Sequence, residues 1–118
     1  MPTLAIIQGL ERLCTSGPTV QARCFAGLFA AAVHNSCRGP DIQRTRHLSF
    51  TEGSVTGQSR FKGVPIWMRW AFRTEAFGDI PWVTPWAEAL SASGLPGKDF
   101  LVMGVNATLT EWSTGAAL

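Results

Sequence analysis

Between Cys24 and Val33 the chain reads CFAGLFAAAV, ten consecutive residues with no charged or strongly polar side chain. The run is far shorter than the roughly 20 apolar residues needed to cross a bilayer, so it predicts a buried helix and no membrane partner. Thr19 can cap and Pro18 suits a first turn, which starts the helix near Pro18 or Thr19 and carries it to about His34. Val20, Cys24, Phe25, Leu28 and Phe29 face inward. Ala26, Gly27, Ala30, Ala31 and Ala32 are small enough for another helix to approach closely. A first helix precedes it: Leu4, Ile7, Leu10 and Leu13, with Ala5 and Cys14 beside them, recur at helical spacing over about residues 3–14, ended by TSGP.

Beyond Gly39-Pro40 the pattern changes. A short helical turn is expected from Pro40 to Arg44. HLSFTEGSVTGQSRF then reads as a β-hairpin: Leu48 and Phe50 alternate, Glu52-Gly53 turns, Val55 starts the return, and Lys62-Gly63 ends it. VPIWMRWAF is read as a further strand. TPWAEALSASG predicts an amphipathic helix with Thr84 as cap, Pro85 in first position and Gly94 as stop. The tail DFLVMGVNATLTEWSTGAAL offers a short strand. The expected class is therefore α+β, with N-terminal helices, a hairpin or small antiparallel sheet, and a Trp-rich helical segment. A chain of 118 residues, 46% apolar and 15% charged, is sized for a single domain and too apolar to be disordered.

The net charge of +2 is small, but its distribution is uneven. Arg38 to Arg73 holds seven Lys or Arg against two acids, while most acids follow Arg73. Cys14, Cys24 and Cys37 are odd in number and irregularly spaced, so no disulfide framework is expected. A reducing, intracellular setting follows, nuclear if the source is eukaryotic. His34 and Cys37 form a single H-x-x-C pair, whereas zinc needs two tight pairs, and no metal or other cofactor is expected. A Cys-His nucleophile lacks an orienting acid. Asn106-Ala107-Thr108 matches the glycosylation sequon, which has no role in an intracellular protein.

In CRGPDIQR, an Arg just after a helix with an acid three residues on can be held with its guanidinium fork outward, a shape suited to two phosphate oxygens. In SRFKG, Lys62 adds a second cation. The order of helix, R-G-P-D-I, hairpin and K-G resembles the first half of the catalytic domain of tyrosine recombinases and integrases. WMRWAF and DIPWVTPWAEAL behind the lysine resemble the divergent forms found in eukaryotic mobile elements. The similarity spans roughly residues 20 to 110. It implies that Arg38 binds a scissile phosphate, Asp41 braces that region, and Lys62 protonates the leaving oxygen. Arg44, Arg46 and Arg60 are the accompanying DNA-binding candidates.

Other parts of the family pattern are missing. Neither His34 nor His47 begins a His-x-x-Arg box, both precede the lysine, and the chain contains no tyrosine to act as nucleophile. The expectation is one partial recombinase-like domain over residues 1–118, binding DNA but not cutting it alone. The alternative is a non-enzymatic interaction module that uses exposed tryptophans for self-association or for a protein partner. Trp67, Trp70, Trp82 and Trp86 could stack unpaired bases, yet side chains of this size more often anchor a core.

Overall fold

The computed structural model describes residues 3–36, 39–51, 53–60, 63, 65–75, 81–94 and 101–116. It is an α+β fold: α1 (Leu4–Ser16), α2 (Val20–His34), α3 (Gly39–Gln43), β1 (Thr45–Thr51), β2 (Ser54–Ser59), β3 (Met68–Arg73), α4 (Val83–Ser93), β4 (Met103–Val105) and β5 (Trp112–Ala116). One antiparallel sheet has the order β1-β2-β3, and β4 pairs with β5 in a second.

The boundaries of the first two helices have local causes. The Thr3 hydroxyl accepts from Ile6 N–H at 3.3 Å and starts α1. The helix continues two residues past the expected stop and closes where Gly17 N–H donates to the Leu13 carbonyl at 2.9 Å, with the Thr15 and Ser16 hydroxyls bonded back to the carbonyls of Glu11 and Arg12. Thr19 caps α2 by accepting from Ala22 N–H at 3.1 Å. The same hydroxyl donates to the Leu109 carbonyl and ties this cap to the β4–β5 loop.

Several predicted boundaries are corrected. Helix α4 begins at Val83 after Trp82, with no side-chain cap, so Thr84 is not its cap and Pro85 is its third residue. Proline is tolerated there because the first helical N–H groups lack intrahelical acceptors in any case. Burial of Trp82 and Val83 outweighs the capping preference of Thr84. Gly94 does end the helix, at φ +71°. Strand β2 ends at Ser59, three residues before Lys62, which lies outside the described residues. The third strand, expected over VPIWMRWAF, starts later at Met68 and runs to Arg73, and the tail forms two strands rather than one.

Helix α2 is the centre, packed against α1, α3 and α4. Its small-residue face admits α4 closely: a Cβ placed on Gly27 would lie 2.0 Å from Trp86 Cδ1. Trp82 and Trp86, four residues apart and therefore on one helix face, are both fully buried. Trp82 stacks near-parallel on Phe72 of β3, which stacks on Trp70, and Phe50 of β1 meets Trp86 in a T-shaped contact. A run of rings thus cements the sheet to α4. The C-terminal sheet is held by Gln43: its buried side-chain amide bonds both backbone groups of Val102, at 2.7 and 2.6 Å.

The seating of Trp86 makes a graded prediction. Gly27→Ala forces a methyl into a rigid indole and lowers unfolding free energy by about 1–3 kcal/mol. Gly9→Ala, on a helix where no atom approaches the new methyl, raises it by about 0.4–1 kcal/mol. Denaturant melts of both variants measure the opposite signs.

Candidate nucleic-acid interface

The three-stranded sheet has unlike faces. Along β2, Val55, Gly57 and Ser59 are buried while Ser54, Thr56 and Gln58 alternate toward solvent. Register extends this alternation across the sheet. Arg46, Gln58 and Arg69 form one rung, Ser49, Thr56 and Ala71 the next, and Thr51, Ser54 and Arg73 the last. The solvent face is therefore a field of hydroxyls, an amide and arginines, with the aromatic cement behind it.

The first rung is the most organised. Arg46 Nε donates to Gln58 Oε1 at 3.0 Å, and its guanidinium carbon lies 4.1 Å from the centre of the Trp67 ring. Neighbouring strands are about 4.8 Å apart, which places the Arg46 and Arg69 backbones on the order of 10 Å from each other. Arg44 precedes Thr45 and Arg60 follows Ser59, and those two strand ends pair, so both exposed arginines border the same end. Beneath, Trp70 Nε1 donates to the buried Ser59 hydroxyl at 2.7 Å, Ser59 contacts Thr45 Oγ1 at 3.0 Å, and Thr45 donates to the Ile42 carbonyl. Gly57 leaves the space that the Trp70 ring fills, since a Cβ there would be 2.6 Å from Cζ2.

Between β1 and β3 lies an open groove of about 530 Å³, lined in part by His47, Thr56, Gln58, Arg69 and Ala71. His47 sits at a bulge between Arg46 and Ser49 with φ +54°, an uncommon conformation for a side-chain-bearing residue. Arg73 meets Glu75 at 3.4 Å, both exposed. No carboxylate among the described residues pairs with Arg44, Arg46, Arg60 or Arg69. A surface of this kind can hold anionic groups by charge-assisted hydrogen bonds.

The residues carrying the recombinase resemblance are only partly visible. Arg38 and Lys62 lie outside the described residues. Asp41 is buried in the first turn of α3, and the neighbouring Ile42 is wholly enclosed. Arg44, Arg46 and Arg60 are all exposed at the sheet. Arg69 and Gln58 join this group only through the tertiary structure, which also sets Trp67, one of the four rings able to stack bases, against Arg46. As successive strand residues Arg69 and Trp70 face opposite sides, and register sets Arg69 in one rung with Gln58 and Arg46.

Most of the tryptophans anchor the core, as side chains of this size more often do, and the exposed-tryptophan surface of the alternative reading is reduced to one ring. Trp82 and Trp86 are buried, Trp70 and Trp112 are half-buried, and Trp67 is the exposed one. Large rings that face the small-residue stripe of α2 are drawn into the core. His34 is likewise internal, 3.0 Å from the buried Glu11 carboxylate and packed against Phe72 and Trp82. Among the described residues no group of three His, Cys, Asp or Glu gathers to hold a metal, and no helix is long and apolar enough to cross a membrane. No family model, curated protein or solved structure matches the chain.

Cys14 and Cys24 are buried free thiols. Burial, reinforced by the negative charge of Glu11 and by Cys24, pushes Cys14 from 9.0 up to about 12. Burial pushes Cys24 up to about 11, against smaller lowering effects from Ser93 and Arg23. Both are therefore thiols, not thiolates, at neutral pH, which disfavours a cysteine nucleophile. In a Cys37→Ser background, a disulfide reagent at pH 8 should leave native protein unlabelled and label both thiols after denaturation. Because folding raises these pKa values, their stabilising contribution is complete below about pH 9 and declines as pH climbs through 11 and 12. An alkaline stability titration checks the sign.

Proposed function

We propose that this chain binds DNA through the solvent face of its three-stranded sheet, as the partial core of a tyrosine-recombinase-like protein without its nucleophile. The observation that carries DNA binding is the Arg46–Gln58–Arg69 rung with Arg44 and Arg60 at its end, cations without carboxylate partners among the described residues on a polar sheet face. Backbone phosphates are the common anion that fits several arginines in a row, and their neutralisation releases counterions. The recombinase part rests on Arg38, Asp41 and Lys62. Buried Asp41, at the helix after Arg38, suits the bracing role that the resemblance implies.

Affinity for a duplex should fall steeply with salt. Removing one phosphate contact by Arg69→Gln should reduce the log–log salt slope by about 1, whereas Arg73→Gln, already paired with Glu75, should change it less. Arg38→Lys keeps charge but loses the paired hydrogen bonds, and should weaken binding by about 1–2 kcal/mol. Arg60→Lys should cost less than half as much. Salt-matched anisotropy titrations compare the four variants, and salt-insensitive affinity would remove the basis for DNA binding.

The recombinase part has its own test. With no tyrosine in the chain, incubation with a nicked suicide substrate should give no protein–DNA adduct on a denaturing gel. An adduct would reveal a nucleophile of another kind.

The protein-interaction alternative is favoured by one observation. Helix α1 leaves Leu4, Ile6 and Leu13 exposed beside a shallow groove of about 480 Å³. Concentration-dependent self-association weakened by Ile6→Glu, with salt-dependent DNA binding absent, would support that alternative.

A further inference from the structure

We infer that the nucleic acid held by this sheet is single-stranded, with an unpaired base stacked on Trp67. The inference rests on the DNA-binding proposal and specifies the state of the strand. Phosphates account for the arginines but not for the apolar tip beside them: Ile66, Trp67 and Met68 are 60%, 37% and 41% exposed. This tip enters β3 at the strand end where Met68 pairs with Ser59, next to Arg60 and Arg44. Apolar surface set among cations that no described carboxylate pairs with fits a ligand that alternates planar apolar faces with negative charge. In a duplex those faces are hidden by neighbouring bases, while in a single strand they are available to aromatic rings.

The geometry around Trp67 suits such a base. Arg46 covers one face of the indole at 4.1 Å and is itself oriented by Gln58 at 3.0 Å, so the ring is braced from the sheet. A base stacked on the exposed ring surface would have its flanking phosphates within the field of Arg44, Arg46, Arg60 and Arg69. The adjoining groove of about 530 Å³ is of a size that takes a small organic molecule, larger than a bare phosphate requires. Thr56 and Gln58 on its floor offer hydrogen bonds to a sugar or base edge. Because every base has a π-face, the site tolerates sequence.

The experiment uses the full chain and four probes: a short oligothymidine strand, its abasic counterpart with the same phosphates, a duplex of equal length, and phosphatidylserine vesicles. Wild type should bind oligothymidine about 10-fold more tightly than the abasic strand, the scale of one stacked base. Trp67→Ala should abolish most of that ratio, and Trp67→Phe, which keeps a π-face, should retain much of it. Arg69→Gln should weaken both single strands together. Circular dichroism of each variant verifies the fold, so a lost ratio with an intact spectrum reports stacking. Equal binding of the thymidine and abasic strands, unaffected by Trp67→Ala, would overturn base stacking. Salt-dependent duplex binding in that same experiment would leave the DNA-binding proposal standing. Binding to none of the three nucleic-acid probes, with or without binding to vesicles, would overturn both.

Discussion

The contact between Trp86 and the bare backbone of Gly27 sets the spacing on which the rest of the structure depends. Because nothing but hydrogen projects from Gly27, the indole lies directly on α2, and α4 approaches as closely as the ring allows. Trp82, one turn earlier, then reaches Phe72 and His34, while Phe50 closes on Trp86 from β1. One face of one short helix therefore touches α2 and both edge strands of the sheet. Each buried aromatic removes about 150–250 Å² from water, and ring–ring contacts add to that area term. A core filled otherwise mostly by Ala, Val and Cys concentrates its cohesion in these rings.

Polar groups inside the fold supply direction where apolar burial supplies cohesion. Glu11 is 1% exposed and faces His34 at 3.0 Å, joining α1 to the end of α2. Gln43 behaves as a surrogate strand, accepting from and donating to Val102. Ser59 and Thr45 fasten Trp70 and the turn after α3 to the sheet's end. Hydrogen bonds satisfied by one partner geometry discriminate between registers that apolar packing alone would tolerate, since the wrong register leaves a buried polar atom unmatched. The same fastening holds the outer face still. Arg46 and Gln58 can act together because the strands that carry them cannot slip.

The opposite face follows from strand periodicity. Once Val55, Phe72 and Trp70 are committed to the aromatic layer, their neighbours Thr56, Gln58, Arg69, Ala71 and Arg73 must face outward. A modest net charge of +2 then becomes a local concentration, because Arg44, Arg46, Arg60 and Arg69 meet at one sheet end. Charge that is diluted along the sequence is focused by folding.

Much of this was written in the order of residues. Helical spacing and the Thr3 and Thr19 caps set α1 and α2 within two residues; Glu52-Gly53 marked the hairpin turn, where Gly53 takes φ +87°. Those signals are local, so a short window contains their whole cause. The sequence by itself also determined that no tyrosine is present and that cations cluster between Arg38 and Arg73. Only the tertiary structure decided that α4 starts at Val83 despite Thr84, since that choice depends on burying Trp82 in a layer built from distant segments. It alone decided which tryptophan stays outside, and that Asn106, a sequon on paper, organises a loop by accepting from Thr110 and Glu111 N–H. It alone placed Arg46, Gln58 and Arg69 in one rung. Strand register is a long-range property: it is chosen by the face that must be buried, and that face exists only after the helices have packed.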